Sequence, residues 1–140
     1  MFEEIGGGSP AALDGSEPAY RRWVLREKAA HRFYGFVVEA RSHGVVGSGV
    51  VWLQPSQPRP APLDRLVMPY IMSMYTDPGY RGRGVASLLV RRMVRWATDR
   101  GYRRIVLHAS KHGRPVYERL GFESTNEMRL ELPVRSRRTR

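Results

Sequence analysis

The heptapeptide Tyr80-Arg81-Gly82-Arg83-Gly84-Val85-Ala86 is the part of the sequence best equipped to hold a ligand. An apolar run, Tyr70 to Tyr75, leads into it through the turn Thr76-Asp77-Pro78-Gly79, and an apolar period near 3.6 begins within it. The first turn of a helix leaves backbone N–H groups without intrahelical partners, and the helix dipole favours negative charge there. Gly82, Gly84 and Ala86 add no bulk, and Arg81 and Arg83 add positive charge. The chemistry this predicts is binding of a phosphate or pyrophosphate. The competing reading is a glycine turn that only redirects the chain. Other motifs are excluded by their spacing. Ser87 stands where a dinucleotide fingerprint needs its third glycine, and there is no G-x-x-x-x-G-K or H-E-x-x-H. Val46 and Val50 flank Ser48 where a nucleophile elbow needs glycine. His108 and His112 fall at a strand end and a loop, so no metal site is expected there. With no cysteine, disulfides, thiolate metal sites and a thiol nucleophile are ruled out.

The elements that must position this turn follow from periodicity. A helix is predicted from an N-cap at Ser16, with Pro18 in its first turn, to about His31; Tyr20, Trp23 and Val24 form its apolar face. Strands are predicted over 33–40 and 45–53, joined by Arg41-Ser42-His43-Gly44. Gly47 and Gly49 in the second of them predict a bulge or a close backbone approach. A proline-rich loop occupies 54–66, and a third strand covers 70–75. Val85, Leu88, Leu89, Met93, Trp96 and Ala97 then define a long amphipathic helix stopped by Gly101. A strand at 104–109, a short helix from Pro115 to Gly121, and a hairpin pairing Phe122 with 128–132 complete the pattern.

This order predicts a mixed α/β fold in a single domain over 17–132, after a flexible lead-in of residues 1–16 and before a basic, disordered tail of 133–140. At 140 residues such a chain buries roughly two-thirds of its unfolded surface without staples. Lysines and arginines number 24 against 13 acidic residues, a net charge of +11. That balance attracts nucleic acid, acidic lipid or a phosphorylated small molecule, unless it reflects an arginine-rich composition alone. Tyr20, Trp23, Trp52 and Trp96 fit core faces rather than a base-stacking platform, which argues against nucleic acid. No run approaches the length of a membrane span and the start lacks a secretory pattern, so the cytoplasm is the expected compartment.

The residues around the turn carry a resemblance. Arg81-x-x-Gly84-x-Ala86 resembles the R/Q-x-x-G-x-G/A motif of the GCN5-related N-acetyltransferases. In that family a strand follows the long helix, then a loop and a short helix ending in Tyr-x-x-x-Gly-Phe; here stand 105–109 and Tyr117-Glu118-Arg119-Leu120-Gly121-Phe122. The two blocks in order are more specific than either alone. The resemblance implies a sheet whose two central strands splay apart, with acetyl-CoA as co-substrate in the gap. Met74, Tyr75 and Thr76 would offer backbone groups to the pantetheine arm, and Arg81, Gly82, Arg83, Gly84, Val85 and Ala86 would hold the pyrophosphate. Tyr117 would protonate the leaving thiolate; read structurally, it is a core aromatic. Ser110 stands where the family often has asparagine.

The implied activity is direct acetyl transfer to an amine acceptor that the sequence does not name. The alternative is a non-catalytic CoA-binding sensor or interaction module of the same fold. Several members of the family place a carboxylate base early on the strand that holds Tyr70 and Ser73 here, so the base is unassigned, with a water chain or Glu39 to be tested. The family also begins with a strand and helix for which the glycine- and proline-rich start leaves little room. One sheet edge then lacks its usual neighbour, and either the natural start lies further upstream or a second copy, as a homodimer, or the leading segment covers the gap.

Overall fold

The computed structural model describes residues 10–57 and 66–134. The first helix, α1 (Pro10–Ala29), begins six residues earlier than Ser16 and Pro18 predict. Ala11, Ala12 and Leu13 favour helix, and Pro18 inside it removes a single backbone donor. Ser16 is therefore a helical residue and not a cap. Residues 10–16 of the expected lead-in are helical, while residues 1–9, the tail from 135, and positions 58–65 of the proline-rich loop lie outside the described residues.

Apolar runs rich in valine and aromatic residues then build one sheet of four strands in the order β1-β2-β3-β4. β1 (Phe33–Ala40) and β2 (Gly44–Pro55) form an antiparallel hairpin, with Gly44 at φ 72° closing the turn. β3 (Val67–Thr76) pairs antiparallel with β2. β4 (Val106–Leu107) adds to β3 in parallel through two rungs, Tyr70↔Val106 and Ile71↔Leu107. The sheet is mixed, as expected, but β4 is shorter than the 104–109 predicted. Among the described residues no strand precedes β1, which forms one edge.

The long helix α2 (Val85–Asp99) lays Val85, Leu89, Val90, Met93 and Ala97 on one face of the sheet. Val51, Leu53 and Ile71 meet Val90 and Met93 there to form the core, and Val51, Val90 and Met93 are wholly buried. Gly101, at φ 79°, turns the chain away from the helix end. The short α3 (Arg114–Arg119) lies against the same core through Tyr117 and Leu120. On the opposite face, Trp23 of α1 packs at 5.2 Å on Trp52 and 6.0 Å on Phe33. Glu27 is buried beneath them, receiving Arg32 Nε at 2.5 Å and Trp52 Nε1 at 3.0 Å.

The predicted hairpin of Phe122 with 128–132 does not form. Phe122 packs against the core, but residues 123–134 make no strand, and Met128 and Leu130 are 93% and 80% exposed. Alternating apolar residues define a strand only when something lies against them, and nothing among the described residues does. No described helix is long and apolar enough to cross a membrane.

Candidate functional site

The candidate site begins where β3 loses its neighbour. The ladder to β4 stops at Ile71, so β3 from Met72 to Thr76 is unpaired on that side. A bulge lies at the same point: Ser48 pairs with Tyr75 but Val50 with Met72, so Gly49 alone faces both Ser73 and Met74. Ser73 sits at φ 55°, a left-handed conformation that a non-glycine residue rarely adopts. A Cβ on Gly49 would stand 2.5 Å from Met74 Sδ and 2.6 Å from Met93 Cε. Glycine there lets the Met74 side chain into the core and leaves its backbone on the open edge.

A short turn carries the chain from β3 to α2. Asp77 accepts from the Gly79 N–H at 3.0 Å, closing a 3-10 turn at Pro78–Tyr80. Arg81 Nε donates to the Thr76 carbonyl at 3.3 Å, and the Arg83 guanidinium lies 5.0 Å over the Tyr80 ring. Gly82 and Gly84 take φ 75° and 80°, and a Cβ on either would meet nothing within 4 Å. Gly84 is the N-cap of α2 and gives it no side-chain cap, so the N–H groups of the first turn stay uncapped. Val85 is buried against Gly47, where a Cβ would collide with its Cγ1. The close approach foreseen at Gly47 thus seats the first turn of α2 directly on β2. An open strand edge, an uncapped helix start, two glycines without bulk and two arginines fit an extended anionic ligand.

On the far side of the gap, the Ser110 hydroxyl accepts from the Gly113 N–H at 3.0 Å and so shapes the turn into α3. A Cβ on Gly113 would lie 3.1 Å from both Ser110 Oγ and a Tyr117 ring carbon, which places these three residues side by side. The Tyr117 ring meets Phe122 edge-on at 5.9 Å, and burial raises its phenol above the ordinary value. Among the described residues its hydroxyl makes no hydrogen bond. The Tyr117 ring is thus part of the core, while its hydroxyl is uncommitted among the described residues.

Glu39 is exposed on β1, the edge strand farthest from β4, so the structure does not bring it to the site. His108 and His112 join no metal-ligand group; among the described residues no cluster of three suitable side chains exists. His108 instead lies 2.6 Å from Tyr70 Oη through Nδ1 and 3.3 Å from Glu127 Oε2 through Nε2. This cluster was not legible in sequence, because its members are 38 and 19 residues apart and no motif joins them.

Known proteins share this fold. The model of the acetyltransferase (GNAT) family matches residues 7–122. A glucosamine 6-phosphate N-acetyltransferase of Trypanosoma brucei brucei is 30% identical over 89 residues, 63% of this chain and 58% of that protein. The chain spans 58%, 59% and 44% of the lengths of the curated relatives it matches, all of them N-acetyltransferases by name. Among solved structures, a GCN5-related N-acetyltransferase from Ralstonia eutropha JMP134 is similar with a TM-score of 0.78 and 29% identity, covering 94% of this chain and 85% of that one. A predicted acetyltransferase from Clostridium acetobutylicum solved with acetyl-CoA gives a TM-score of 0.74 and 28% identity, over 94% of this chain and 80% of that one. With the family model spanning most of its length and the splayed strands, glycine turn and long helix in place, the chain belongs to the acetyltransferase (GNAT) family.

Proposed function

We propose that this chain is an acetyl-CoA-dependent N-acetyltransferase that passes the acetyl group directly to an amine. The observation that carries this reading is the continuous path from the open edge of β3 at Met74–Thr76 to the uncapped start of α2 at Gly82–Ala86. A pantetheine arm matches the first, as its amides can continue the strand's hydrogen-bond ladder. A pyrophosphate matches the second. Bound acetyl-CoA supplies an activated thioester carbon.

The protein's own residues do the rest. The first-turn amides of α2, with Arg81 and Arg83 beside them, hold the anion, and the Ser110 hydroxyl keeps its own proton available for a ligand acceptor. Tyr117 stands across the gap with an uncommitted, protonated phenol, suited to give its proton to the departing thiolate. There is no cysteine to carry the acetyl group, so a single direct transfer is the simpler course.

The test has two stages. Acetyl-CoA at a hundred times its Kd stabilises a native state by roughly 2.7 kcal/mol, so the melting temperature rises. Gly84→Glu sets bulk and negative charge against the phosphates and abolishes that rise. An undiminished rise in this variant would sink the site. Release of free thiol from acetyl-CoA is then followed with glucosamine 6-phosphate, a lysine peptide, spermidine and n-butylamine. Binding without transfer to any of them would replace the enzyme reading with the sensor.

A further inference from the structure

Tyr70, His108 and Glu127 form a hydrogen-bonded chain that neither sequence block accounts for. Glu127 as a carboxylate only accepts, so its bond to His108 needs the proton on Nε2. In the neutral imidazole Nδ1 then carries a lone pair and accepts from the Tyr70 hydroxyl at 2.6 Å. Glu127 thus sets the tautomer, and the imidazole is left ready to take a proton from Tyr70, the logic by which a carboxylate serves the histidine of a hydrolase triad.

The place of this chain in the fold gives it a direction. Tyr70 and Ile71 are the last two residues of β3 paired with β4, and His108 immediately follows Leu107 of the last rung. Side chains alternate along a strand. Ile71 is buried with Val90 and Met93 under α2, so Tyr70 projects from the other face, where Trp52 meets it edge-on at 6.4 Å. Tyr117 packs against the core on the α2 side. The two phenols therefore flank the opening between β3 and β4 from opposite faces of the sheet.

Glu27, whose carboxylate meets Trp52 on the same face, is committed elsewhere. Glu27 is bound by Arg32 and Trp52, and these bonds hold its carboxyl down to about 2, too weak a base for an ammonium proton. Burial and the Glu127 charge keep the Tyr70 phenol above its ordinary value, so it is no phenolate base by itself. It acts only by passing its own proton on as it receives another.

We propose, resting on the acetyl-transfer reading above, that Tyr70 is a catalytic residue that removes the acceptor's ammonium proton and relays charge to His108, which Glu127 positions. One ammonium proton moves to Tyr70 Oη while the Tyr70 proton moves to His108 Nδ1. The freed nitrogen lone pair forms the C–N bond, the C–S bond breaks, and Tyr117 protonates the thiolate. The second nitrogen proton restores Tyr117, and His108 returns its proton to solvent.

Two probe nucleophiles separate this role from a structural one. n-Butylamine is an ammonium ion at neutral pH, whereas hydroxylamine is already a free base. In the full chain with acetyl-CoA, Tyr70→Phe and His108→Gln lower kcat/KM for n-butylamine by about a hundredfold. Both leave hydroxylamine within about twofold, and both keep the acetyl-CoA melting shift. Equal losses with the two nucleophiles would show a packing role and overturn the relay. A parent enzyme that binds acetyl-CoA yet acetylates neither probe overturns the transfer reading, and the relay with it.

An acceptor-free readout stands beside this. Imidazole nitrogen NMR of the parent at neutral pH shows His108 as the Nε2–H tautomer, and Glu127→Gln shifts that balance. A tautomer mixture indifferent to both Glu127→Gln and Tyr70→Phe would overturn the proposal whatever the kinetics.

Discussion

Tyr117 and Glu27 show how a polar atom on a mostly buried side chain serves opposite ends. The Tyr117 ring closes the core against Phe122, and the same burial keeps its hydroxyl protonated. Tyr117→Phe keeps the ring and removes only the proton. Turnover, measured where chemistry limits the rate, falls by about a hundredfold, with the acetyl-CoA melting shift retained; an unchanged rate would leave Tyr117 a core aromatic only. Glu27 spends its burial on stability. Arg32 and Trp52 lower its carboxyl from 4.5 to about 2. A group depressed on folding stabilises above its unfolded value, and that contribution fades as pH falls toward the folded one. At pH 7, Glu27→Gln costs roughly 2 kcal/mol in urea unfolding. The gap between parent and variant narrows as pH is lowered from about 5 toward 2; a constant gap would show that the charge contributes nothing.

At the scale of elements, the site depends on how closely α2 approaches β2. Gly47 sits under Val85 Cγ1, a branched side chain fixed in the first turn of the helix, whereas Gly49 faces the ends of two flexible methionines. Gly47→Ala therefore costs about 1–3 kcal/mol and weakens acetyl-CoA binding by displacing the helix start. Gly49→Ala is milder in urea unfolding and leaves the cofactor affinity near the parent's. The reverse ranking would mean that α2 shifts freely on the sheet. The sequence revealed this arrangement only in part. The period of Val85, Leu89, Met93 and Ala97 marks α2, and small residues mark the turn before it. Both are local signals. Strand length is not: the Ile105 to Ala109 run shortens to two paired residues because the ladder needs β3 beside it. Likewise Met128, Leu130 and Leu132 alternate as a strand does, yet lie exposed, with no partner strand among the described residues. Tyr70, His108 and Glu127 meet only when β3 and β4 pair. No spacing rule reaches across such separations.

Over the whole molecule the excess of positive charge has two separable parts. Arg81 and Arg83 stand at the turn that opens α2, with Gly82 and Gly84 beside them, so their field acts on whatever anion the turn holds. The arginines at 135, 137, 138 and 140 are clustered at the end of the sequence and are part of the same +11. A charge separated from its ligand by more than the Debye length, about 8 Å at 0.15 M salt, is largely screened, whereas one in contact is not. The net field of the molecule speeds the approach of a polyanion, and contacts set how long it stays. Removing residues 135–140 takes away four of these charges and should slow association with acetyl-CoA at low salt. Arg83→Glu should raise the Kd at that salt by about tenfold or more, as one reversed charge beside a phosphate is worth at least 1.4 kcal/mol. Stopped-flow binding and calorimetry across a salt series read both quantities. A shortened chain that loses affinity as Arg83→Glu does would place the tail arginines on the phosphates and enlarge the site to include them.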